Sequence, residues 1–248
     1  MTARLDRRLA AALLILLPIA FTVCFTLLQL RFEYPDILRQ PTADILAKFQ
    51  AGGAALVVVW YALTLTALLL IPLTVLLHRV LAEQEAPSTL WIATTFGILA
   101  GLVQALGFLR WPFLVPHLAR VYLAPESGEP QRAATVAVFE AFHHYAGMGV
   151  GEHLGYLSTS VWTAGVALLM WRSPQFGRAL GLSGVALAGG IACGLLEPAG
   201  WALAGAINTY SYLAWAVWLV AVGVRLLLRR EVAAHRAAPA APAPVPVA

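Results

Sequence analysis

The chain has 248 residues, of which 60% are hydrophobic and only 11% charged, and its mean hydropathy is +0.79. A soluble domain carries about 25% charged residues, so there is too little polar side chain here to cover a water-facing surface, and lipid must be the solvent. The net charge of +4 and isoelectric point near 9.4 would raise nucleic acid as a partner in a soluble chain. In a membrane chain the placement of Lys and Arg accounts for both, and no nucleic-acid partner is expected.

A membrane-spanning helix needs about 20 predominantly apolar residues, and six runs qualify: 9–30, 53–77, 90–109, 153–171, 179–200 and 211–228. Arg4, Arg7 and Arg8 precede the first run as they would in a signal peptide. That run exceeds the usual apolar core of about 7–15 residues, and no small-x-small cleavage site comes before Arg31. The spacing therefore predicts a retained first helix. Pro18 and Pro72 lie within the first two runs and are tolerated as kinks. Cys24 and Cys193 each sit in an apolar run and offer neither a disulfide framework nor a metal-ligand spacing.

Between the first two runs, "RFEYPDILRQPTADILAKFQAG" places Ile37/Leu38 and Ile45/Leu46/Phe49 between prolines, which predicts two short amphipathic helices lying on the membrane. After the third run comes a longer segment, 110–152. It opens on "RWPFLVPHLARVYL", turns at "APESGEP" and enters a helical stretch over 131–145. The alternating Gly147, Gly149 and Gly151 of "GMGVG" predict a break in that helix. In the fifth run, Gly181, Ser183, Gly184, Ala188, Gly189, Gly190 and Gly194 suit close helix–helix packing. "GLSG" at 181–184 is similar to the serine motif of rhomboid proteases, but no histidine follows Ser183 until His235, which argues against that chemistry. The end of the chain, 231–248, finishes in "APAAPAPVPVA" and reads as a disordered tail after a transmembrane domain over 1–230.

Cation placement orients the helices. With the N-terminus in the cytoplasm, the inner segments hold ten cations and four acids, the outer segments six cations and eight acids. The outer segments are also the longer ones. Both termini are therefore expected on the cytoplasmic side. The near-exclusive use of Arg (Lys48 is the one lysine) in an Ala-rich chain points to a bacterial cytoplasmic membrane. Trp91 and Trp171 at inner helix ends and Trp111 at an outer one are expected in aromatic belts.

The stretch "FEAFHHYAGMGVGEHLGY" concentrates chemistry: Glu140, His143, His144, Glu152 and His153 fall within fifteen residues. On a helix Glu140 is one turn from both His143 and His144. An E-x-x-H step is half of the di-metal carboxylate pattern of helix bundles, and imidazole with carboxylate suits Zn, Fe or Mn, or general acid/base chemistry. Glu140, His143, His144 and His153 are thus candidate metal ligands, with zinc, iron or haem as the implied cofactors. The bland reading is an amphipathic interface helix followed by an acid at a helix N-terminus. Adjacent histidines point apart on a helix, and no H-E-x-x-H or second E-x-x-H is present. Glu197 lies near the outer end of the fifth run, where an intramembrane carboxylate is functional by default, and Arg110 at the matching end of the third run is its expected partner. Arg110, Glu140, Glu152, His153 and Glu197 form the candidate ligand-binding set.

"FEYPDILRQPTADILAKF", "FLRWPFLVPHLA" and "GVGEHLGYL" resemble blocks of a bacterial multi-pass membrane family called domain of unknown function 4386, over about 9–228. The resemblance implies a six-helix integral membrane protein and no reaction. The expectation is an all-α polytopic membrane protein, about six transmembrane helices with short amphipathic helices in two long outer loops. It would bind, sense or transport a small or lipidic ligand at its extracytoplasmic face. The rival expectation is a metal-dependent membrane hydrolase or oxidoreductase using the Glu/His cluster.

Overall fold

The structure, a computed structural model, describes residues 2–82, 87–173 and 175–236, and these form helices and turns with no strand among them. The helices are α1 (Thr2–Phe32), α2 (Thr42–Leu81), α3 (Ser88–Phe113), α4 (Val115–Leu123), α5 (Glu129–Phe142), α6 (Gly155–Arg172), α7 (Arg178–Ala192) and α8 (Ala204–Arg236). Six helical stretches are long and apolar enough to cross a membrane, in the places the hydropathy runs predict. The chain is an integral, multi-pass, all-α membrane protein.

Each crossing packs on the next, α1 on α2, α2 on α3, α3 on α6, α6 on α7 and α7 on α8, and α8 closes the ring against α1. Six alternating crossings bring the start of α1 and the end of α8 to one side. Helix contacts in lipid gain no hydrophobic drive, so small residues that let backbones approach take over the task. Gly184 of α7 shows it: a Cβ there would lie 2.7 Å from both Ala167 and Trp218. Gly181, Ala188 and Gly194 are buried likewise, whereas Ser183 and Gly189 face outward. Helix α8 runs on to Arg236, so 231–236 continue the helix; 237–248 lie outside the described residues, as do Glu83 and Glu85.

Two buried cores divide the bundle. One joins α1, α2, α3, α6, α7 and α8 around Trp162, Trp215 and Trp218. The other fills the opposite, loop-rich end with Phe32, Ile45, Leu46, Phe49, Trp60, Trp111 and Phe139. The second core corrects two expectations. Residues 36–39 form a single 3₁₀ turn, and 42–52 are an arm of α2 that kinks at Gly53, whose φ of 58° and ψ of −155° suit only glycine. Ile37, Ile45, Leu46 and Phe49 are buried in protein, not laid on lipid, because the aromatic side chains of α1 and α3 offer the arm a partner. Trp111 is fully buried in the same place, while Trp91 and Trp171 are exposed as belt residues would be.

The third correction concerns "GMGVG". Residues His143–Leu154 do not break the helix; they widen it into a twelve-residue π-helical stretch that carries α5 into α6. π-helix is rare and gathers at functional sites. Its cause here is close contact: a Cβ on Gly107 of α3 would stand 2.7 Å from the Cα of Gly151. The glycines let the wide coil lie backbone to backbone on α3.

Candidate functional site

Arg110 ends α3 and is buried at 9% exposure. Its Nη1 donates to the Gly107 carbonyl one turn back, and its guanidinium sits 5.2 Å over the Trp111 ring. The wide coil leaves room for it only because residue 147 is glycine: a Cβ there would come within 2.5 Å of Nη2. The buried Nε of Arg110 has no hydrogen-bond partner, and neither has the buried Nδ1 of His143, on which the Arg110 charge acts. Buried polar groups are nearly always paired, so two orphans in one place mark it.

Glu152, at the other end of the wide coil, is half-buried. Its charge and that of Arg110 act on each other, yet among the described residues the ion pairs are Arg39–Asp36, Lys48–Glu33 and Arg79–Asp6, and Arg110 and Glu152 are not in contact. Three tyrosines feel the charge of this acid. Tyr34, from the loop before α2, feels both charges: burial pushes its phenol up from the ordinary value, Glu152 adds to that and Arg110 opposes it. Tyr34 is therefore a neutral donor at any physiological pH. Tyr156 of α6 and Tyr212 of α8 sense the Glu152 charge as well, and their rings lie 5.9 Å apart. Gly194 admits the Tyr156 ring, since a Cβ there would stand 2.6 Å from it.

Polar groups continue inward along one face of α6. Tyr156, Thr159 and Thr163 follow Glu152 at helical spacing. Thr159 pairs with Tyr212 and receives Gln104 Nε2 at 3.1 Å; Thr163 receives Trp215 Nε1 at 2.9 Å. Beyond Thr163 the same face turns apolar with Val166, Ala167 and Met170. The polar stripe starts at the loop-rich end and stops within the bundle, about 16 Å deep for eleven residues of helix.

The charges of Arg110 and Glu152 thus act on each other, while the rest of the sequence-derived set lies apart. Glu140 is exposed and accepts from Thr42 Oγ1 at 3.3 Å, tying α5 to the arm of α2. His143 turns inward and stacks on Phe139 at 5.7 Å and 9°. His144 turns outward to Met148 Sδ at 3.2 Å, and His153 is half-buried. Among the described residues no three His, Cys, Asp or Glu side chains converge in a way that could hold a metal ion. His143 and His144 point apart, as successive residues of even a widened helix do, and Glu140, His143, His144 and His153 are not gathered into such a group. Glu197 is exposed and feels Arg39, not Arg110, as its cationic neighbour. The expected Glu197–Arg110 pair is not formed. The three tyrosines escaped the sequence reading, although Tyr156 stands one helical turn after Glu152, a spacing that signals contact.

A family model described as Domain of unknown function (DUF4386) matches residues 9–223. No curated protein and no solved structure matches the chain.

Proposed function

We propose that this chain, which belongs to the DUF4386 family of unknown function, binds a small or lipidic ligand at the loop-rich end of its helix ring. One observation carries the reading: among the described residues the buried Arg110 keeps an unpaired Nε at the same end of the bundle as the start of a polar stripe running inward through Thr159 and Thr163, and its charge and that of Glu152 act on each other. Charges in a membrane are expensive and are kept where they serve a function. A stripe that stops at Thr163 favours binding or sensing over passage of a charged solute, since nothing polar carries on along that face. No observation favours the metal-dependent enzyme.

The test is extraction and mass spectrometry of the detergent-purified protein. Wild type is expected to retain a defined species in near-stoichiometric amount, and Tyr156→Ala and Glu152→Gln to lose it while still eluting as folded protein. An identical complement of small molecules in all three sinks the proposal.

The site's side of the membrane is part of the same proposal. The excess of cations in the inner segments supports termini in the cytoplasm of a bacterial cell and a site on the outer face. In a variant lacking Cys24 and Cys193, a single cysteine at exposed Glu126 is expected to react with a membrane-impermeant maleimide on intact cells. Reaction only after the cells are broken reverses the orientation.

A further inference from the structure

His144 and Met148 stand one turn apart on the exposed side of the wide coil. The Nδ1 of His144 lies 3.2 Å from the Met148 Sδ. A thioether sulfur donates no proton and accepts one only weakly, so a hydrogen bond holds this pair poorly. Imidazole nitrogen and thioether sulfur are, however, both ligands for soft metal ions. The spacing fits such an ion. A metal bonds nitrogen and sulfur at about 2.0–2.3 Å, so one ion can touch both atoms across the gap, and the rotatable bonds of methionine let the sulfur swing out to open the angle.

The surroundings suit a cation. Glu140 precedes His144 by four residues, as His144 precedes Met148, so acid, imidazole and thioether follow one another along one side of the helix. The partner of Glu140 is the Thr42 hydroxyl, a neutral group that leaves the negative charge in place. His143, the neighbouring ring, stacks inward on Phe139 and takes no part.

The donors also decide which ion. Magnesium and calcium take oxygen ligands, and structural zinc takes four ligands; among the described residues no three His, Cys, Asp or Glu gather to serve them. Thioethers select copper(I), and monovalent copper and silver are content with two or three donors.

Apart from the ligand at the loop-rich end, we propose that His144 and Met148 form a surface site for copper(I), with the Glu140 charge one turn away and water completing the shell. The ion would fasten the turn that holds Gly147, whose inner side makes room for Arg110: a Cβ there would come within 2.5 Å of Nη2.

The test uses the full chain in detergent, with Cys24 and Cys193 replaced by alanine because thiolates bind the same ions, and with isotope-labelled methyl groups on its three methionines. Silver nitrate in chloride-free buffer is the redox-stable stand-in for copper(I). The methyl resonance of Met148, assigned by its loss in Met148→Leu, is expected to shift and to saturate near one equivalent of silver, while that of the fully buried Met170 stays. His144→Phe should weaken the response of Met148 at least about tenfold, and zinc sulfate should not produce it over the same range. A Met148 resonance that stays put overturns the site. One that moves at the same silver concentration with and without His144 does so too, and leaves a lone thioether. Zinc matching silver overturns the choice of a soft ion. Both side chains are exposed, so the variants are expected to melt with the parent, and the silver–zinc comparison on the parent decides the question even where a variant does not fold.

Discussion

Replacing Trp111 by alanine is expected to cost about 3–5 kcal/mol, the usual loss for truncating a fully buried large aromatic side chain, and to give the largest single drop in melting temperature of any substitution at the loop-rich end. Trp111 stacks on Trp60 with centroids 4.6 Å apart and planes within 10°. It lies against Phe49 at 5.8 Å and meets the edges of Phe32 at 5.3 Å and Phe139 at 6.3 Å. Those partners come from α1, the arm and body of α2, and α5, so a single ring holds four separate stretches of chain in register. Arg110 rests on the same ring, and the damage should reach the site as well as the fold. Trp91 is the control: it is 59% exposed, and Trp91→Ala should stay within about 1 kcal/mol, as surface changes usually do. Thermal unfolding of both variants in the same detergent decides the matter; equal losses would mean that the aromatic core is not what fastens the loop-rich end.

The contrast between these two tryptophans shows what the sequence could and could not reveal. Six crossings were legible because a bilayer imposes a length and a composition on whatever spans it. The packing role of Gly181, Gly184 and Gly194 was legible too, because close helix contacts in lipid call for small residues. Which face of each helix turns inward was not. A spanning helix is apolar all round, and lipid-facing leucines look like buried ones. Trp111 therefore passed for a belt residue, and Ile45, Leu46 and Phe49 for an interface helix, until the arm of α2 was seen to fold back over the bundle. The wide coil had a different obstacle. Alternating glycines argue against an α-helix on propensity alone, but the contact of Gly107 with Gly151 and of Arg110 with Gly147 makes them the means by which a helix is widened. Arg110 was legible as a partner for Glu197, and Glu152 as one of the Glu/His cluster. Their partnership was not, because it joins residues of different crossings that only the ring brings together.

That partnership leads to the second large effect. Arg110→Met leaves Glu152 without its nearby cation, and Glu152→Gln leaves Arg110 buried without its nearby anion. Breaking a contacting buried charge pair costs about 3–5 kcal/mol. These two charges are not in contact and Glu152 is half-buried, so each single change should cost less, about 1–3 kcal/mol, most of it the penalty of the charge left behind. The double variant leaves neither, and pairs of opposite charge replaced together often cost little or nothing. Arg110→Met/Glu152→Gln should therefore recover most of what either single change loses, and the cycle of four proteins, each unfolded thermally in the same detergent, should show strong coupling in the direction of rescue. Strictly additive losses would mean that the two charges do not sense each other, and the case for a shared site would fall with them. Rescue has a further consequence that separates fold from function. If Arg110 and Glu152 were kept to hold the helices, the rescued double variant would have lost nothing. If they are kept to receive a ligand, it should be nearly as stable as wild type and yet come through purification without the species that wild type retains. Stability restored and binding gone is the combination that only a site can produce, and its polar stripe down α6, with Thr159 and Thr163 still paired, would remain intact as a passage to a mouth that no longer holds anything.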